Sequence, residues 1–182
     1  MIRFFDIVFA LIGLTFGLPL LLGLMLVGFF DTGSPIFCQQ RVGRYKQPFT
    51  LFKFRTMQTN TASVATHLAD RASITRFGHF LRRTKLDELP QLWNVLVGDM
   101  SLVGPRPGLF NQDVLTEARD KLGIYNVRPG VTGLAQVNEI DMSTPERLAE
   151  WDARMIKTLS LKDYFRYLLL TLLGQGSGDR VR

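Results

Sequence analysis

Hydrophobic positions follow three different spacings along this chain. From Ile7 to Phe30 they form an uncharged run of about 24 residues, roughly 36 Å as a helix and enough to cross a ~30 Å hydrocarbon core. Between Pro35 and Met57 the spacing falls to two, which predicts a strand, a turn around Gly43-Arg44, and a second strand from Phe49 to Met57. Beyond Ser73 it becomes helical. Ile74, Phe77, Phe80 and Leu81 predict a short amphipathic helix over Ser73 to Arg83, and Leu89, Leu92, Trp93 and Leu96 predict another, with Pro90 in its first turn and Gly98 near its end. Ser143 to Ser160 reads as a third helix, starting at Thr144-Pro145-Glu146 with Trp151 and Met155 on one face. In a fourth, Leu161, Tyr164, Phe165, Leu168, Leu169 and Leu172 oppose Lys162, Asp163 and Arg166, a stripe suited either to core packing or to the headgroup layer. Gln58 to Ala72 has no periodicity and reads as a loop. Arg128 to Asn138 reads as a glycine-rich loop leading to a short strand, and Gly174 to Arg182 as a disordered polar tail.

Pro19 divides the opening run into halves of about twelve residues, each roughly 18 Å long, and neither half spans alone. Two anchors follow from the residues: a kinked spanning helix, the default because proline kinks are common there, and a re-entrant hairpin that enters and leaves one leaflet. Gly17 eases a bend, and the Thr15 hydroxyl is available to the carbonyls that proline frees. A cleavable signal peptide fits less well, since Asp6 interrupts the short leading region and no small-residue cleavage site follows. Arg41, Arg44, Lys46, Lys53 and Arg55 come soon after the run and place the following domain in the cytoplasm.

Of the 182 residues, the ~150 outside the apolar segment suit one modest globular domain. A net charge of +6 and a pI near 9.8 favour anionic partners: phospholipid headgroups, nucleotides or nucleic acid. The single Cys38 excludes an internal disulfide, and with two histidines in the chain a structural zinc site is not expected, which fits a reducing cytoplasmic setting.

Asp87 and Glu88 are the candidate chemistry. They sit beside Arg82, Arg83 and Lys85, at the expected start of the Leu89 helix, where free backbone N–H groups favour ionised carboxylates. A helix cap and a first-turn acid would explain them as structure alone. The neighbouring Val103-Gly104-Pro105-Arg106-Pro107 turn argues for more, because its two prolines hold Arg106 in place, a preorganisation suited to clamping phosphate. On the second strand, Phe52 and Phe54 occupy one face while Lys53 and Arg55 occupy the other, presenting two cations to a common site.

Lys53-Phe54-Arg55-Thr56-Met57, Leu86 to Leu92 (LDELPQL), Asp99 to Pro107 (DMSLVGPRP) and Pro129 to Gly133 (PGVTG) together resemble the bacterial sugar transferase family, the small monotopic phosphoglycosyl transferases. The resemblance runs from about Arg3 to the last helix. It implies a mainly helical α+β fold with a re-entrant helix-break-helix hairpin over residues 1–31, a small strand hairpin, and interfacial helices within a catalytic domain over 32–173. It also implies transfer of a sugar 1-phosphate from a UDP-sugar to a polyprenol phosphate at the cytoplasmic face of the bacterial inner membrane. Asp87 matches the family's nucleophile and Glu88 its partner in a Mg²⁺ site, with Lys53, Arg55, Arg82, Pro105, Arg106 and Pro107 around the donor. The resemblance reverses the ranking of the anchors and makes Pro19 the bend. One departure is visible: many members have serine directly before this proline, whereas here it is Leu18, so Thr15 or a neighbouring helix must satisfy the broken backbone. A homodimer in the bilayer is compatible with the apolar helices. Two rivals, a tethered nucleic-acid binder and a non-enzymatic membrane adaptor, leave the acid pair or the rigid arginine turn unexplained.

Overall fold

The computed structural model describes residues 1–59, 61 and 71–176. Helix α1 (Ile2–Thr32) runs through Pro19 without leaving helical backbone, and among the described residues it alone is long and apolar enough to cross a membrane. The expected break is therefore a proline inside one helix and not a loop between two, since proline deletes one hydrogen bond while the flanking turns keep theirs. Thr15 is exposed and makes no side-chain hydrogen bond among the described residues, so it does not play the compensating part expected of it.

Both halves of α1 rest on the same globular body. Its buried residues are Asp6, Ala10, Leu24 and Gly28, which at 3.6 residues per turn fall within about 40° of one another. Near its start, Arg3 donates to the carbonyls of Val95 at 2.6 Å and Leu96 at 3.1 Å. Near its end, Leu24 packs with Phe54 and Leu81, and Asp31 accepts the Thr75 hydroxyl at 2.6 Å. Gly17 lies on the same face, yet a methyl group there would meet nothing within 4 Å. The middle of the helix stands clear, with Phe16, Leu18, Leu20 and Leu22 exposed.

Strands β1 (Ile36–Val42) and β2 (Pro48–Phe54) form the expected antiparallel hairpin, with Arg41 opposite Phe49 and Gln39 opposite Leu51. Phe49 and Leu51 enter the main core with Ala10, Val95, Met100, Met155 and Tyr164, while Phe54 faces the smaller cluster of Leu24 and Leu81. Helices α2 (Arg76–Thr84) and α3 (Gln91–Val97) follow. The fully buried Asn94 staples α3 to β2, giving Nδ2 to the Thr50 carbonyl at 2.7 Å and taking the Phe52 N–H at 3.1 Å.

Strands β3 (Ser101–Val103) and β4 (Gly130–Thr132) pair in parallel, and between them lies α4 (Asp113–Lys121). Helices α5 (Leu134–Val137), α6 (Pro145–Thr158) and α7 (Leu161–Leu172) complete the body. The strand expected after the glycine-rich loop is formed by Gly130–Thr132 itself, and the residues after it turn into α5 because β3 supplies a partner only for those three. Helix α7 uses both faces: Tyr164 and Tyr167 are buried, while Leu169 and Leu172 are exposed, as is Leu173 just beyond its end. At the expected tail, Gly176 is buried and the Gln175 carbonyl accepts Lys85 Nζ at 2.6 Å; residues 177–182 lie outside the described residues, as does most of the expected loop from Gln58 to Ala72.

Candidate active site

The acids are placed by the leucines around them. Leu86 and Leu89 both pack against the Leu24–Phe54–Leu81 cluster, which leaves Asp87 and Glu88 on the free side of a short 3-10 turn, Leu86–Glu88. Lys85, left-handed at φ 58, ends α2 and starts this turn. The acids are thus a few residues ahead of α3, not in its first turn, and the helix end acts on them less than their sequence position suggested.

Helix α2 is aimed by one close approach. A methyl group at Gly78 would sit 2.0 Å from the Thr56 carbonyl oxygen, so only glycine lets the helix lie against the end of β2. Thr75 caps α2 by accepting the Gly78 N–H at 2.8 Å, and from the last turn Arg82 donates Nε to the Thr56 hydroxyl at 2.9 Å.

The Pro-Arg-Pro turn is held by its carbonyls. Its base is the crossing of Gly104 over Gly130, where a methyl group on Gly130 would lie 2.0 Å from the Gly104 nitrogen. The Pro105 carbonyl accepts Gly130 N–H at 2.8 Å, the Arg106 carbonyl accepts Arg119 Nη1 at 2.8 Å, and the Pro107 carbonyl accepts Arg41 Nη1 at 3.2 Å. With its backbone fixed at three successive residues, Arg106 reaches Glu88 with an Nη2–Oε1 distance of 3.0 Å.

Asp87, half-buried, is acted on by Glu88 and by the cations Lys53, Arg82 and Arg106. Burial, and next the Glu88 charge, push its carboxyl up to about 6, outweighing the three cations. The firmly ionised carboxylate expected from the neighbouring cations is not what the fold gives: the cations are present, but desolvation and the second carboxylate outweigh them. Lys53 Nζ lies 5.5 Å from the centre of the Phe37 ring, and the Arg55 guanidinium 5.4 Å from the same ring. Arg55 gives its Nε to the Ser34 carbonyl at 2.8 Å, beside the α1–β1 linker, and is not among the charges acting on Asp87.

The structure therefore brings Asp87, Glu88, Lys53, Arg82 and Arg106 together, with Pro107 beside Lys53 and Arg106 in a small cleft; it places Pro105 in a separate cavity with Arg3 and Asp6, and sets Arg55 to one side. It also adds residues that sequence reasoning passed over. Arg41 and Gln91 line a small cleft with Lys53, Arg106 and Pro107. Arg119, 2% exposed, pairs with the wholly buried Asp152 through Nη2 at 2.6 Å and Nε at 3.0 Å. The available signal was a charge on a buried stripe: Arg119 follows the buried Leu115 by four positions, and Asp152 follows the buried Leu148 by four. Among the described residues no cluster of three or more His, Cys, Asp or Glu side chains could hold a metal.

Residues 1–175 match the sequence profile of the bacterial sugar transferases. The chain is similar to an uncharacterized sugar transferase, EpsL, of Bacillus subtilis, at 38% identity over 93% of this chain and 84% of the relative. It is similar to the UDP-galactose-lipid carrier transferase of Erwinia amylovora, at 37% identity over 93% of this chain and 39% of the relative. A third likeness is to the undecaprenyl-phosphate galactose phosphotransferase of Salmonella typhimurium, at 39% identity over 82% of this chain and 35% of the relative. The chain thus spans well under half the length of the last two and most of the first. A profile covering nearly every residue, together with relatives above a third identical, places this chain in the bacterial sugar transferase family.

Proposed function

We propose that this protein transfers a sugar 1-phosphate from a UDP-sugar to a polyprenol phosphate, such as undecaprenyl phosphate, at the cytoplasmic face of the bacterial inner membrane. The observation that carries the reading is the convergence on Asp87 of Glu88, Lys53, Arg82 and a carbonyl-clamped Arg106. The names of the relatives from Erwinia amylovora and Salmonella typhimurium support the lipid acceptor and the sugar donor.

Ionised Asp87 attacks the sugar-bearing phosphorus of the diphosphate. The new bond joins its oxygen to that phosphorus, the bridging P–O bond breaks, and UMP leaves with the electron pair. The polyprenol phosphate oxygen then attacks the same phosphorus, forming the lipid diphosphate-sugar and returning Asp87 as a carboxylate. Negative charge on the phosphoryl oxygens grows in both steps, and Arg106, Lys53 and Arg82 are the fixed cations that meet it. Arg55, set back on Ser34 and Phe37, steadies the ring beneath Lys53. Glu88 keeps Arg106 in line through its 3.0 Å ion pair.

Asp87 and Glu88 fit Mg²⁺, which is commonly held by one or two carboxylates together with substrate phosphates. Their mutual repulsion, part of what raises the Asp87 carboxyl, is the imbalance a divalent cation relieves. When bound, the ion supplies charge neutralisation on the diphosphate oxygens.

The anchor reading is a re-entrant α1 with both ends in the cytoplasm. Its support is that Asp6 and Ala10 on one half, and Leu24 and Gly28 on the other, are buried while the Pro19 region stands clear. Holding the site at headgroup depth lets the lipid acceptor react without extraction. The test uses detergent-solubilised full-length protein with a panel of UDP-sugars and Mg²⁺. UMP release with polyprenol phosphate is expected, and with donor alone intact mass should show a phosphosugar adduct that Asp87→Asn lacks. No UMP from any donor would overturn the proposal.

A further inference from the structure

We propose that the buried Arg119–Asp152 pair is a positioning device for the donor site: it fixes the Arg106 backbone and so aims the Arg106 guanidinium. This rests on the reading of Arg106 as a phosphate clamp. The pair joins α4 to α6 behind the site, and neither residue reaches Asp87 or Glu88. Its only outlet toward the chemistry, among the described residues, is Arg119 Nη1 on the Arg106 carbonyl at 2.8 Å.

Stability alone does not explain this pair. The α4–α6 contact already has an apolar cluster in Leu115, Leu148, Met142 and Trp151, and a buried ion pair is commonly no better for stability than well-packed apolar side chains of similar volume. This one also leaves Asp152 Oδ1 buried with no partner among the described residues, a further cost to the fold. What apolar side chains could not do is donate to a carbonyl between two prolines. Pro105 and Pro107 have no N–H, so the turn has few backbone donors of its own with which to hold itself. An arginine with two nitrogens on Asp152 and the third on Arg106 is stiff, because its planar fork is fixed at one end before it reaches the other. The guanidinium of Arg106 then projects from a backbone that cannot slide.

The experiment is a double-mutant cycle on the full-length protein. Arg119→Met with Asp152→Val removes the pair without leaving a lone buried charge. Arg119→Lys keeps a charge beside Asp152 but loses the fork, and serves if the double variant does not fold. Each is expected to keep its fold and lose about tenfold or more in kcat/KM for the donor, since misplacement of about 1 Å is enough for such a loss. In an Arg106→Ala background the same changes are expected to alter kcat/KM less than about twofold, because no guanidinium remains to be aimed. Equal losses in both backgrounds, or full activity of a folded pair variant, would overturn the inference.

If wild-type protein releases no UMP from any donor, it is the functional reading that has failed, and positioning is then read from melting. Tm shifts of Arg106→Ala and Glu88→Gln should be non-additive with the pair present and additive without it. Persistence of the coupling after the pair is removed would sink the positioning role.

Discussion

Tyr164 donates its hydroxyl to Oδ1 of Asp6 at 2.9 Å, across 158 positions of sequence. The same oxygen accepts the Ser101 hydroxyl at 3.0 Å and the Leu102 N–H at 2.9 Å, so α1, β3 and α7 meet on one buried atom. Burial, and then the Asp6 charge, hold the Tyr164 hydroxyl above the ordinary tyrosine range, which keeps it a donor. Tyr164→Phe is expected to cost about 1.5–3 kcal/mol, and Asp6→Leu more, because three buried donors lose their acceptor. Chemical denaturation in detergent measures both; an Asp6→Leu protein as stable as wild type would show that this atom does not join the anchor to the body.

Asp87→Asn is expected to abolish turnover and at the same time stabilise the metal-free protein. The folded carboxyl, raised to about 6 by burial and Glu88, binds its proton more tightly than the unfolded chain does. Such a group weakens the fold as pH rises from about 4 to 6, and above that the full penalty, about 1–3 kcal/mol, is present. Below about pH 4 the carboxyl is protonated in both states and the penalty vanishes. Melting in EDTA should therefore show the Asn variant ahead at pH 7 and level with wild type near pH 4. The opposite trend would mean that the cations, not burial, govern Asp87.

Arg106→Lys keeps the charge but replaces a planar fork with a single ammonium. With Glu88 at 3.0 Å as one partner and the donor phosphate as the proposed other, kcat/KM should fall roughly tenfold or more, about 1.4 kcal/mol. Steady-state kinetics on the preferred UDP-sugar decide this, and near-wild-type values would remove Arg106 from donor binding.

Gly78→Ala and Gly23→Ala should separate close approach from helix propensity. The Gly78 methyl group would lie 2.0 Å from the Thr56 carbonyl oxygen, while the Gly23 methyl group meets nothing within 4 Å. The first should cost about 1–3 kcal/mol or more and pull Arg82 off Thr56; the second should be neutral or mildly stabilising. Equal melting shifts would contradict the packing of α2 on β2.

Local chemistry was readable where neighbours in sequence are neighbours in space. The β1–β2 hairpin and the stripe of α7 follow from spacing alone, whereas the packing of Leu86 and Leu89 that sets the acids apart became visible only in the assembled fold. Nor did strand β3 and its pairing with β4 follow from spacing, because a parallel pair of three residues each is defined by its partner, and Ser101 finds Gly130 only after α4 has been traversed. Arg119 and Asp152 were missed for a similar reason. Each is an unremarkable helical charge until the other stands 2.6 Å away. The state of Asp87 was misjudged because counting cations along the chain leaves out desolvation, which becomes visible only with the body assembled.

The last expectation concerns how α1 meets the membrane. A helix of 31 residues is about 46 Å long, enough to span if straight and free. It is not free, since Asp6 is bound near Ser101 and Asp31 near Thr75, on one body. A spanning arrangement would pull one of these contacts across the bilayer, so both ends should stay on the cytoplasmic side, with the exposed apolar face that runs from Phe4 to Phe30 turned to the lipid. Replacing Pro19 with leucine restores the missing hydrogen bond and favours an uninterrupted spanning helix, setting spanning against the Asp6 network, and a fraction of molecules should then flip their N-terminus to the periplasm. Cysteine introduced ahead of Arg3, in a background where the exposed Cys38 is serine, reports this through an impermeant maleimide applied to intact cells. The Pro19 protein should remain unlabelled and Pro19→Leu should be labelled in part. Labelling of the Pro19 protein would return α1 to a single-pass anchor and require the Asp6 contacts to be absent in the membrane.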